Sequence, residues 1–135
     1  KCDDLKLPKK LANSDGPLDL KEISVLDKLK RLSMLRLGKT YCGQCRECIP
    51  CPQEIPIPEV LRLRNLAVGY DMQVFAKERY NLIGKAGHWW EEVDASACRT
   101  CGNCIPRCPN DLNIPKLLED AHRRLKSSPS RRLWS

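Results

Sequence analysis

The chain has 135 residues, 41% of them hydrophobic and only 5% aromatic, with a formal charge of +7. That length suits one modest domain or a domain with an extension. No apolar run approaches the roughly 18 residues of a membrane span, no signal peptide is visible, and the basic balance comes without a nucleic-acid recognition motif. Membrane-spanning and nucleic-acid-binding readings are therefore set aside, and nine cysteines are left to be explained.

Residues 1–18 are rich in Lys, Asp and Pro, with a turn at Ser14-Asp15-Gly16-Pro17. A start at Lys1 rather than Met is expected of a fragment or a processed chain. Asp19, with Glu22 three residues on, has the form of a capping box, and residues 20–37 read as an amphipathic helix ended by Gly38. Ile23, Leu26, Leu29 and Leu32 share one face, expected to dock on a core or a neighbouring domain.

The first cysteine run follows: Cys42-Gly-Gln-Cys45-Arg-Glu-Cys48-Ile-Pro-Cys51-Pro. Pro58 then fits the first turn of a helix, expected over 58–68 and interrupted by Gly69. Another helix is expected over 71–83, with Met72, Phe75, Ala76, Tyr80 and Ile83 inward. Residues 84–90 read as a loop whose Trp89 and Trp90 cover a metal group or an interface. His88 is not needed as a ligand. The second run is Cys98-Arg-Thr-Cys101-Gly-Asn-Cys104-Ile-Pro-Arg-Cys108-Pro. Asp111 or Asn113 caps a helix over 115–126 that Pro115 starts, with Leu117, Leu118, Ala121 and Leu125 packed and His122 on the surface. Residues 127–135 form a polar, basic tail. The chain thus divides into an N-terminal extension (1–37), a cysteine-bearing domain (38–126) and the tail.

The spacing C-x2-C-x2-C-x3-C-P is that of two-cluster ferredoxins, in which the fourth cysteine ligates the other cluster. The first run is one residue shorter. A [4Fe–4S] cubane needs four thiolates, and two runs of four imply two [4Fe–4S] clusters. Cluster A is assigned to Cys42, Cys45, Cys48 and Cys108. Cluster B is assigned to Cys98, Cys101, Cys104 and Cys51. Gly43 and Gly102 are expected where the backbone passes close to sulfide, and Gly43, Gln44, Gly102 and Asn103 are candidate donors to sulfur. Zinc would use two separated C-x2-C pairs, four ligands in all, and a disulfide framework would imply secretion. Cys2 lies 40 residues from the nearest run and reads as a free thiol. Oxidised clusters each bring a charge of about −2, which lowers +7 to about +3. This mild balance suits an acidic redox partner. Thiolate-held clusters suit a reducing compartment, hence the cytoplasm.

The two halves repeat. Ile55 aligns with Leu112, Ile57 with Ile114, Pro58 with Pro115 and Leu61 with Leu118. The 46 residues between Cys51 and Cys98 show helical rather than period-2 patterning, so the expected class is all-α and α-helical ferredoxin-like, with a pseudo-two-fold repeat. Cys48-Ile-Pro-Cys-Pro-Gln53 with its following Ile-Pro, Ala76-Lys-Glu-Arg-Tyr80, and the run from Ala97 to Leu118 resemble the C-terminal two-cluster extension of the iron–sulfur aldo/keto reductases. The resemblance covers roughly residues 20–125. It implies a preceding NADPH-binding (β/α)8 barrel that carries the catalysis, with residues 1–37 as its last helix and linker. On this reading the chain has no catalytic site and acts as the electron-transfer part of an oxidoreductase, exchanging electrons with a redox protein or catalytic domain. The alternatives are an iron–sulfur subunit similar to those of heterodisulfide reductase or succinate dehydrogenase, and a structural module stapled by its metal groups.

Overall fold

A computed structural model of the protein describes residues 5–13, 16–85 and 92–127. Among them every regular element is helical. The chain falls into two compact units, residues 1–30 and residues 31–135.

The smaller unit contains helix α1 (Lys6–Ala12), which is exposed along its length. The Lys- and Pro-rich composition gave no sign of it. Pro8 is tolerated because it sits in the first turn, where its missing N–H has no carbonyl to meet. Helix α2 (Leu20–Leu37) starts here on the expected capping box. Asp19 Oδ1 accepts from the amides of Lys21 (2.7 Å) and Glu22 (2.8 Å), while the Glu22 carboxylate accepts from Asp19 N at 2.9 Å. Ile23, Leu26, Leu29 and Leu32 are all exposed, and the helix buries only Ser33 and Leu37.

Those two residues belong to the larger unit. Gly69, the last residue of helix α3 (Ile57–Gly69), is where they pack. A Cβ added there would stand 2.6 Å from Leu37 Cδ1 and 3.4 Å from Ser33 Cβ, so only glycine lets the end of α2 approach. Helix α4 (Gln73–Tyr80) is shorter than periodicity suggests. Asp71 adopts a left-handed φ of 60°, which delays its start. Ala76, Tyr80 and Ile83 are buried as expected, but Met72 and Phe75 face outward, and Arg79 lies over the Phe75 ring at 5.3 Å. Helix α5 (Ile114–Leu125) begins with the Asn113 side chain accepting from Lys116 N.

Helices α3, α4 and α5 pack on one another. Their core is aliphatic: Ile55, Ile57, Val60, Leu61, Leu63, Ile114, Leu118 and Leu125 are almost wholly removed from solvent. Pro58 and Pro115 start α3 and α5 at equivalent places. Each half of the larger unit thus has the same order: a 3-10 turn (Gly38–Thr40, then Ala95–Ala97), a cysteine run, and a proline-started helix.

Candidate metal centre

The loops that carry the cysteines are built twice on one backbone plan. Left-handed φ values occur at Gln44, Arg46 and Glu54 in the first half and at Thr100, Gly102 and Asp111 in the second. These are matched positions once the single-residue difference between the runs is allowed for. The hydrogen bonds repeat as well. Ile49 N donates to Arg46 O as Ile105 N does to Gly102 O, Glu54 N to Cys51 O as Asp111 N to Cys108 O, and Ile57 N to Ile55 O as Ile114 N to Leu112 O. Gly102 adopts a φ of +78°, the left-handed region that its match Arg46 also enters at 69°. Gly43 does not: its φ is ordinary, and its match in the second half is Arg99. Gly43 lines the first cavity. The peptide Ile49–Pro50 is cis.

This plan surrounds two cavities, each with about 330 Å³ of empty space that is partly open to solvent. Cys42, Cys45 and Cys48 line the first together with Cys108 from the other run. Cys98, Cys101 and Cys104 line the second together with Cys51. The apolar walls obey the same exchange. Pro58, Leu61 and Ile114 close the first, and Pro115, Leu118 and Ile57 close the second. Each cavity thus takes three cysteines and a helix start from one half, and one cysteine and an isoleucine from the other.

The eight cysteines are free of disulfides. Cys42, Cys48 and Cys104 are buried, while Cys45 and Cys101 reach the surface. Burial pushes the Cys48 thiol up to about 11, with the neighbouring Cys42 adding to the effect. Burial also raises Cys42, against backbone and side-chain hydrogen bonds from Gln44, and it raises Cys104. Burial thus favours the protonated thiol at Cys42, Cys48 and Cys104, so ligation through these three must release protons.

The donor set fits [4Fe–4S] groups. Each cavity offers four sulfurs against apolar walls, one for each iron. Among the described residues, no three His, Cys, Asp or Glu side chains converge closely enough to hold a single ion. Sulfurs spread round a cavity suit a cluster better than one tetrahedral zinc.

Several polar residues that position the loops were not singled out from the sequence. The buried Asn65 of α3 donates from Nδ2 to Cys42 O at 2.8 Å, and its Oδ1 lies 3.5 Å from Cys42 N. Its neighbour Arg64, also buried, reaches Thr40 Oγ1 at 3.2 Å and Asp120 at 2.9 Å. In the second half Tyr80 Oη accepts from Ala95 N at 3.2 Å and lies 2.7 Å from His122 Nδ1. His122 is therefore tied to the turn before Cys98, which corrects its placement as a plain surface residue. Arg107, the extra residue of the second run, donates to Asn103 O in its own loop and to Pro50 O in the other, at 3.0 and 2.9 Å. A polar pair, Arg64-Asn65, in register with the apolar face of α3 was the one available sequence signal. Gln44, an anticipated donor to sulfur, does reach one: its Nε2 lies 3.3 Å from Cys42 Sγ. His88, Trp89 and Trp90, Cys2 and most of the basic tail lie outside the described residues.

Helices around two crossed four-cysteine cavities define an all-α, ferredoxin-like iron–sulfur protein that holds two [4Fe–4S] clusters. A family model described as "4Fe-4S dicluster domain" matches residues 41–114. That is more than half of the chain, and the chain belongs to this family. No curated protein and no solved structure matches it.

Proposed function

We propose that the chain is the electron-transfer part of a larger oxidoreductase of the aldo/keto reductase type, with Cys42, Cys45, Cys48 and Cys108 holding one cluster and Cys98, Cys101, Cys104 and Cys51 the other. The observation that carries this reading is the exchange of one cysteine between the two cavities. A [4Fe–4S] group supplies one-electron storage at a potential set by its surroundings. The protein contributes everything else. Its thiolates capture iron, and the proline and leucine walls shield the buried sulfurs from water. The exposed Cys45 and Cys101 bring one corner of each site to the surface, where an electron can pass to or from a partner. The substrate-handling site is placed on an attached or partner domain, as the resemblance to the aldo/keto reductases implies. The resemblance of Cys48–Gln53 and Ala76–Tyr80 to the two-cluster extension of aldo/keto reductases supports a barrel as that domain. The mildly basic balance suits an acidic docking surface on it. No helix among the described residues is long and apolar enough to cross a membrane. Thiolate ligation suits a reducing cytoplasm.

Anaerobic iron and sulfide analysis, with EPR before and after dithionite, tests the reading. About eight irons and eight sulfides per chain are expected from two cubanes, with spin-coupled signals on reduction. Zinc without sulfide, or clusters that dithionite leaves unreduced, would overturn it. Cys51→Ser tests the exchange. It should damage the cluster built on Cys98, Cys101 and Cys104, and selective loss of the other signal would refute the crossed arrangement.

A further inference from the structure

The two cavities are matched in sulfurs and apolar walls, yet the polar side chains around them differ, and one difference falls on a ligand sulfur. Gln44 and Thr100 are equivalent residues, each two places after the first cysteine of its run and each in the left-handed region, with φ of 59° and 51°. That geometry turns both side chains back over their own loops. Gln44 Nε2 reaches Cys42 Sγ at 3.3 Å. Thr100 Oγ1 instead donates to Arg99 O at 2.8 Å, and its hydroxyl proton is thereby spent on a carbonyl. Among the side-chain hydrogen bonds of the described residues, the one from Gln44 is the only bond given to a ligand sulfur.

We infer that Gln44 is a positioning residue that raises the reduction potential of the cluster held by Cys42, Cys45, Cys48 and Cys108, a contribution the second cluster does not receive. This rests on the electron-transfer reading above. The physical reason is local. One-electron reduction adds negative charge that the ligand sulfurs share, and an N–H aimed at such a sulfur stabilises the reduced form more than the oxidised one. The donor is neutral and in contact with the sulfur, so the effect survives salt. The arginines beside the cavities act differently. Arg46 lines the first, and Arg99 and Arg107 line the second. Arg46 and Arg99 are exposed, where ions screen them, and the Arg107 guanidinium is engaged by two carbonyls. Their influence should fall as ionic strength rises, and that of Gln44 should not. Two sites with the same four donors thereby become unequal electron acceptors.

The test is an EPR-monitored redox titration of the loaded protein, at low and at high salt. In Gln44→Leu one of the two midpoints should move to lower potential by the same amount at both salt concentrations, while the other stays in place. In Thr100→Val, which removes only the hydroxyl, both midpoints should stay where they are. Gln44→Asn keeps an amide but is one methylene too short, and should reproduce the shift. Full cluster loading with both midpoints unmoved in Gln44→Leu would overturn the proposal. So would failure of both Gln44 variants to assemble clusters, which would make the residue structural. Failure of the electron-transfer reading itself is seen separately, in a wild-type protein whose clusters dithionite does not reduce.

Discussion

The two halves of the iron–sulfur unit reach the same end by different polar chemistry. Both must hold the strand of chain that enters a cysteine run, and both use the helix position seven residues after its starting proline. In the first half that position is Asn65, which binds the backbone of Cys42 directly. In the second it is His122, which works through Tyr80 on Ala95, three residues before Cys98. The difference follows from what lies between. Helix α4 packs on α5 and brings Tyr80 between His122 and the second loop. A symmetric cage of sulfurs therefore needs no symmetric support. It needs a buried polar side chain that satisfies the backbone of each loop, because an unpaired buried amide is costly.

The comparison breaks most sharply at Asn65. Asn65→Ala leaves the Cys42 carbonyl and amide without their partner, and should cost about 2–3 kcal/mol by the usual penalty for stranded buried groups. The first cluster should be lost first when the protein is challenged with chelator, as read from its EPR signal. Equal loss of both clusters would mean that the halves are not separately supported. Tyr80→Phe is the counterpart. It strands the Ala95 amide and removes the contact to His122, at about 1–2 kcal/mol, and should speed loss of the second cluster alone. Burial, with the nearby Asp94 carboxylate adding to it, raises the pKa of the Tyr80 phenol. The phenol therefore keeps its proton through the neutral pH range and stays available to the Ala95 amide and to His122 Nδ1.

Much of this arrangement is legible in the sequence because it is local. The cysteine spacing, the prolines at 58 and 115, the Asp19–Glu22 box and the Asn113 cap each act within a few residues, and each appears where local rules put it. The repeat carried further, since Ile57 and Ile114 wall opposite cavities as a two-fold exchange requires. What stayed hidden depends on distance in the chain. Asn65 meets Cys42 across 23 residues and Arg107 meets Pro50 across 57, and no periodicity records which polar side chain will face a loop that far away. The outward turn of Met72 and Phe75 had the same cause, since the burial of α4 is set by α3 and α5 rather than by its own pattern.

Arg107 offers a smaller test of the same comparison. It is the residue by which the second run exceeds the first, and its side chain joins the two loops. Arg107→Ala should cost about 1 kcal/mol and, unlike the Asn65 and Tyr80 changes, should loosen both clusters together. Loss confined to one cluster would assign Arg107 to a single half.

A further expected effect lies in acid. Partial burial pushes the Asp120 carboxyl up, but hydrogen bonds from Arg124, Arg123 and Arg64 outweigh it and bring the pKa down to about 2. A carboxyl whose folded pKa is depressed stabilises the fold above its unfolded value near 4, and that contribution is lost as pH falls toward 2. Asp120 anchors Arg64, which in turn holds Thr40 ahead of the first run, so the loss falls on the first half. Comparing urea unfolding of wild type and Asp120→Asn at each pH cancels what acid does to the cysteine sites themselves. The difference between the two proteins should be constant above about pH 5, shrink below pH 4 and nearly vanish by pH 2. A difference that instead grew in acid would mean that Asp120 is protonated at neutral pH, and that Arg64 is held by Thr40 alone.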